Sequence, residues 1–206
     1  MTDDKENSPL ESCGARDRLE AAVLSGDRAG AEGILRTVGR SIAIEWKNSL
    51  LSRLTADCLN GRGPFCQLTA AAQAACAFFD DQAPPVACCG GIAGNTSTTG
   101  RDFMMMLLRA WGVPAMDLGT DVPEHAFLNA VADHGVRFVI CTAFSRADLN
   151  RIRVLDKRAR ELGIRDRFSL LVSGAQLEHG GDDAVSDCPD HRAAAVAEWV
   201  VQRWMA

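Results

Sequence analysis

The stretch Gly94-Asn95-Thr96-Ser97-Thr98-Thr99-Gly100 places four hydroxyls and a carboxamide between two glycines. Glycines let a ligand approach the backbone, and a following helix N-terminus offers unpaired N–H groups, so the stretch reads as a cradle for a phosphate-bearing ligand. Neither Gly-Lys-Ser/Thr nor Gly-x-Gly-x-x-Gly occurs, and a turn that merely caps a helix would have the same composition. Metal chemistry would fall to the four histidines, His125, His134, His179 and His191. His134 stands before Gly135 at a helix C-terminus, where the dipole favours a cation. His125 reads as exposed on its helix, and His179, in Glu178-His179-Gly180-Gly181, is the candidate metal donor. The eight cysteines include no Cys-x-x-Cys pair, so the spacing of a zinc site is missing. Cys58, Cys66, Cys76, Cys88, Cys89 and Cys141 fall in apolar segments and read as small core residues, whereas Cys13 and Cys188 read as exposed.

The elements that must position these residues follow from hydrophobic periodicity. Residues 1–14 are polar and read as a disordered tail. From Arg16, apolar residues recur at helical spacing through Leu19, Val23, Ala31, Ile34 and Leu35, broken at Ser25-Gly26-Asp27, where Gly ends one helix and Asp caps the next. Further stripes run from Ile42 to Asn60-Gly61 and over 65–79, so 15–82 reads as a four-helix bundle. Asp80-Asp81-Gln82-Ala83-Pro84-Pro85 reads as a linker, because the residue before proline leaves the α region. Beyond it, short apolar runs at 86–92, 115–118, 138–143 and 169–172 alternate with helical patterns at 100–111, 123–134, 147–162 and 191–204. That alternation predicts a doubly wound α/β domain over 83–206 with a parallel sheet, taken as five-stranded. Ligands of such sheets lie outside the carboxyl ends of the strands.

Composition narrows the function. At 206 residues and 47% hydrophobic the chain can bury a sizeable core. Net charge is -5 and no run of Lys and Arg forms a stripe, which argues against direct nucleic-acid binding. The acidic start MTDDKENSPLE is unlike a signal peptide and no 18-residue apolar run occurs, so no membrane segment is expected and the expected location is the cytoplasm.

Asp117-Leu118-Gly119-Thr120-Asp121-Val122-Pro123, followed by a helix, resembles the motif that ends the second strand of the corrinoid (cobalamin-binding) proteins of methyltransferase systems and of the cobalamin module of methionine synthase. Gly163-Ile164-Arg165-Asp166-Arg167 and the opening Leu19-Glu20-Ala21-Ala22-Val23 with Gly26-Asp27 are similar to further stretches of that family, over residues 16–206. The resemblance implies a helical cap before a flavodoxin-like corrinoid domain. The family signature after the first strand is Gly-Asp-x-His-x-x-Gly, whose His ligates cobalt while the Asp polarises it. Here Gly94 and Gly100 match, Asn95 stands for the Asp, Ser97 for the His, and Thr98 follows.

By the same resemblance, Thr142 and Phe144 line a slot for the nucleotide tail. Ser173, Gly174 and Ala175 let that tail pass, and Asp121 completes the site. Cobalt would then carry no imidazole from the loop. Trp46 and Phe65 in the cap are candidates to shield the upper cobalt face. The implied activity is a corrinoid carrier serving a partner methyltransferase, with no catalytic acid or base of its own. The alternatives are a sensor or adaptor that binds cobalamin, haem or another tetrapyrrole and signals to a partner protein, and a scaffold without cofactor.

Overall fold

In the computed structural model the described residues are 9–38, 40–76, 83–174 and 185–206, with side chains described from residue 14 onward. The chain divides into two compact units, 1–79 and 80–206.

The first unit holds α1 (Pro9–Ser25), α2 (Arg28–Thr37), α3 (Arg40–Leu59) and α4 (Phe65–Ala75). The tail expected over 1–14 is corrected over 9–14, which are helical. Proline's fixed φ and missing N–H suit the first helical position, so Pro9 starts the helix that composition alone assigned to a tail. α1 ends as expected: Asp27 N–H donates to Ala22 O at 2.8 Å and Gly26 N–H to Val23 O at 3.0 Å. Asp27 then caps α2, its Oδ1 accepting from Gly30 N–H at 2.9 Å. α4 packs against the other three helices, and Leu19, Val23, Leu35, Leu51 and Leu68 are buried.

Cys66, expected in a core, is exposed. It lies two positions before the buried Leu68, on the opposite side of α4 from the stripe Leu68, Ala71, Ala72, Ala75.

The second unit runs β1 (Ala87–Ile92), α5 (Thr99–Trp111), β2 (Ala115–Val122), α6 (Glu124–His134), β3 (Phe138–Thr142), α7 (Arg146–Glu161), β4 (Ser169–Ser173) and α8 (Ala193–Trp204). The strands pair in parallel in the order β2-β1-β3-β4. α5 packs with α8, and α6 with α7. The α6/α7 face buries Cys88, Ile92, Phe127, Leu128, Val139, Ile152, Leu155 and Leu170 in one cluster. Each fully buried side chain of this size contributes about 1.5–3 kcal/mol.

The sheet was expected to have five strands, and among the described residues it has four. The outer edge of β4 is met instead by the segment around 185–191. Asp187 N–H donates to Leu170 O at 2.8 Å, while Leu170 N–H and Val172 N–H donate to the side-chain oxygens Asp187 Oδ2 and Ser186 Oγ at 2.8 and 3.2 Å. Side chains thus satisfy an edge that a fifth strand would otherwise pair. Cys188, expected exposed, is buried by this strap, its thiol donating to Asp190 O at 3.1 Å.

Arg165, from the Gly163–Arg167 stretch, secures the strap. It donates to Asp156 on α7 at 2.6 Å, to Phe168 O at 2.9 Å and to both carboxylate oxygens of Asp187 at 2.9 and 3.0 Å.

Candidate functional site

Register places Gly91, Thr142 and Ser173 side by side at the carboxyl edge of β1, β3 and β4. Thr142 is fully buried and Ser173 nearly so. From this row two connections rise, 93–98 into α5 and 143–145 into α7.

Asn95 is the centre of the first connection. Its side chain is buried; Nδ2 donates to Thr142 O at 2.9 Å and Oδ1 accepts from Ser97 N–H at 3.0 Å. Its main chain donates to Ile92 O and accepts from Asp121 N–H, each at 2.8 Å. The two side-chain bonds use the amide as donor on one atom and acceptor on the other, which a carboxylate cannot do.

The Asp117–Pro123 motif secures the other side of that loop. β2 inserts extra residues against β1, since Cys89 faces Asp117, Gly90 faces Gly119 and Ile92 faces Val122. The bulge needs left-handed backbone at Gly119 (φ +90°) and at Asp121 (φ +55°). Asp117 Oδ1 accepts from Gly119 N–H at 2.9 Å, and Asp121 Oδ1 accepts from Gly94 N–H at 2.6 Å. The motif therefore laces the end of β2 to the loop after β1.

Two residues missed in the sequence complete the frame. Arg151 of α7 donates to Ala93 O across 58 positions, a contact without a local signal. Asp148 forms a capping box with Ser145, accepting from Phe144 N–H and Ser145 N–H at 2.9 and 3.0 Å while Ser145 Oγ accepts from Asp148 N–H. The spacing Ser145-x-x-Asp148 is the signal that could have found it.

Phe144 meets the first turn of α5. A Cβ at Gly100 would lie 3.0 Å from Phe144 Cζ and 3.8 Å from Thr142 Cβ. The structure thus gathers Gly94, Asn95, Ser97, Gly100, Asp121, Thr142 and Phe144 at one corner. Ser173 joins through its carbonyl, which accepts from Ala143 N–H at 2.9 Å, and Gly174 N–H donates to His191 O at 2.9 Å. Thr98 is the N-cap residue of α5 without a side-chain capping bond, so the loop's hydroxyls do not serve that cap.

Ala175 and the candidate metal donor His179 lie outside the described residues. His125 and His134 are exposed, and His191 Nδ1 lies 3.3 Å from Val172 O on the β4 strap. Among the described residues no group of three or more His, Cys, Asp or Glu could hold a metal ion. The small-residue corner suits the organic part of a corrinoid. Its loop donors, a hydroxyl at Ser97 and an amide engaged by protein at Asn95, do not suit axial ligation of cobalt.

No family model matches the chain. Over 93 residues, 45% of its length, it is 28% identical to the trimethylamine corrinoid protein of Methanosarcina barkeri and 27% identical to trimethylamine corrinoid protein 1 of Methanosarcina acetivorans. Those matches span only 42% and 43% of the relatives' own length. A cobalamin-binding protein from Desulfitobacterium hafniense DCB-2 superposes with a TM-score of 0.74 at 16% identity, covering 93% of this chain and 98% of the other. The methanol:cobalamin methyltransferase complex MtaBC of Methanosarcina barkeri gives 0.63 at 16% identity, covering 97% and 86%. Over those 93 residues the chain is thus similar in sequence to trimethylamine corrinoid proteins, and its fold is similar to that of the Desulfitobacterium cobalamin-binding protein.

Proposed function

We propose that the protein binds a corrinoid at the carboxyl edge of β1, β3 and β4 and serves as the methyl-carrying component of a methyltransferase system. The observation that carries this reading is the corner formed by Gly100, Thr142 and the Asn95 side chain bonded to Thr142 O, in a chain whose sequence relatives are named corrinoid proteins. Gly100, Thr142, Phe144, Ser173 and Gly174 would line the nucleotide tail, and Gly94, Asn95, Ser97, Thr98 and Asp121 would face the corrin ring. When bound, the corrinoid supplies a cobalt centre that can hold and release a methyl group. This chain's part is to bury the tail against small residues and to present the ring to a partner methyltransferase. Cobalt receives no imidazole from loop 93–98 in this scheme. The site lies on an acidic chain of which no described helix is long and apolar enough to cross a membrane, in keeping with a cytoplasmic role.

The test is to incubate the purified full chain with hydroxocobalamin, remove free ligand by gel filtration, and record the visible spectrum. Corrinoid bands that co-elute at one per chain support the reading. A protein that retains no corrinoid, or that retains haem with a Soret band instead, overturns it.

A further inference from the structure

The corner between α5 and β3 is filled by an aromatic ring of the protein itself. Phe144 is half-buried, and its Cζ and Cε2 lie 3.0 and 3.5 Å from where a Cβ of residue 100 would stand. The ring tip therefore rests on bare backbone, and a Cβ at residue 100 would make it give way by a few tenths of an ångström. The main chain beneath the ring is fixed: Phe144 N–H and Ser145 N–H both donate to Asp148 Oδ2, and the neighbouring Thr142 carbonyl is held by Asn95 Nδ2 at 2.9 Å. The ring can leave this place only by turning about its side-chain torsions, with the backbone staying put.

We propose that Phe144 gates the gap between the first turn of α5 and the end of β3, and selects corrinoids by the bulk of the nucleotide base they carry. This rests on the corrinoid reading above. A corrinoid without a base, such as cobinamide, binds without disturbing the ring. A corrinoid with a benzimidazole base enters the gap only after the ring turns off Gly100 into a more solvated position. Exposing part of a phenyl ring to water is unfavourable, and its loss of burial translates into about tenfold in dissociation constant.

The experiment is to titrate the full chain, its Phe144→Ala variant and its Phe144→Leu variant with dicyanocobinamide and with cyanocobalamin, following absorbance, after thermal melts have shown each variant folded. The ratio of the cobalamin to the cobinamide dissociation constant is expected to fall about tenfold in Phe144→Ala. Phe144→Leu should fall between them, and serves alone if the alanine variant does not fold. An unchanged ratio, or cobinamide and cobalamin affinities that shift together, would overturn the gate while leaving corrinoid binding intact. Failure of both ligands to bind any of the three proteins would overturn the corrinoid reading and the gate with it.

Discussion

The side-chain amide of Asn95 donates to the main-chain carbonyl of Thr142 at 2.9 Å, joining the loop after β1 to the end of β3 across 47 positions. Restoring the carboxylate that the related signature carries at this position would put an acceptor against an acceptor. Asn95→Ala is expected to destabilise the fold by about 1–3 kcal/mol, because it removes the side-chain bond to Thr142 O and the acceptor of Ser97 N–H. Asn95→Asp should cost at least as much at pH 7, but with a pH dependence that alanine lacks. The facing carbonyl raises the folded-state pKa of the new carboxyl above its unfolded value of about 3.9. The penalty is then absent below that value and grows as pH rises through the folded pKa. Urea denaturation of both variants between pH 4 and pH 7 checks this, and an Asn95→Asp deficit that does not shrink toward pH 4 would refute the facing-carbonyl argument.

Arg165 links α7, β4 and the strap, and it sets a second pH response. Burial pushes the Asp156 carboxyl up, but the hydrogen-bonded guanidiniums of Arg160 and Arg165 outweigh it and hold the group below the usual carboxylate range. A depressed folded pKa contributes stability that is present above the unfolded value and lost as pH falls through the folded one. Arg165→Met should therefore destabilise by about 1–3 kcal/mol at pH 7, and its deficit should narrow on acidification below about pH 4. Denaturation midpoints at pH 7, 4 and 3 measure it; a deficit that stays the same in acid would mean that the arginine acts through packing alone.

Thiol labelling separates the cysteines by burial. Burial pushes the Cys88 thiol up to about 12, and lifts Cys89 and Cys141 as well. Cys188 is likewise raised, chiefly by burial under the strap. At pH 8 the exposed Cys66 should react with a disulfide reagent within the mixing time, while Cys88, Cys89, Cys141 and Cys188 react only on unfolding. Peptide mapping after timed quenching reads each site. Native-state labelling of Cys188 as fast as that of Cys66 would mean that the strap opens on its own.

Much of the α/β frame was legible because alternating apolar runs and Gly-ended helices are local signals, whereas the end of β2 was marked by the family resemblance that Asp117–Pro123 carries. The edge of β4 was not, because Asp187 and Ser186 satisfy it with side chains and leave no strand pattern to read. The loop at 94–100 was legible as a site, yet two of its fastenings were hidden. Asn95 to Thr142 and Arg151 to Ala93 span 47 and 58 positions, and nothing in either segment alone announces the other. At the start of α5, Thr98 has a side chain suited to capping but makes no such bond, so the loop's composition alone did not separate a cap from a site.

Ser97, which stands where the resembled signature has its imidazole, gives the last prediction. Ser97 is half-buried and its N–H is fixed to Asn95 Oδ1 at 3.0 Å. A hydroxyl is a weak donor to cobalt beside an imidazole, so cobalt(II) in the proposed complex should have no nitrogen ligand from this loop. Cobinamide is the informative ligand, because it carries no base of its own and any axial nitrogen must then come from the protein. Its cobalt(II) form on the unmodified chain should give an electron paramagnetic resonance signal without nitrogen triplet splitting. Ser97→His, made with Asn95 kept so that the bond to Thr142 survives, should introduce that splitting and lower the cobalt(II)/cobalt(I) midpoint potential, since a strong axial donor disfavours four-coordinate cobalt(I). Triplets in the unmodified protein would show that another imidazole has taken the place. His179→Ala would then be the variant to make, and loss of the splitting in it would assign the ligand.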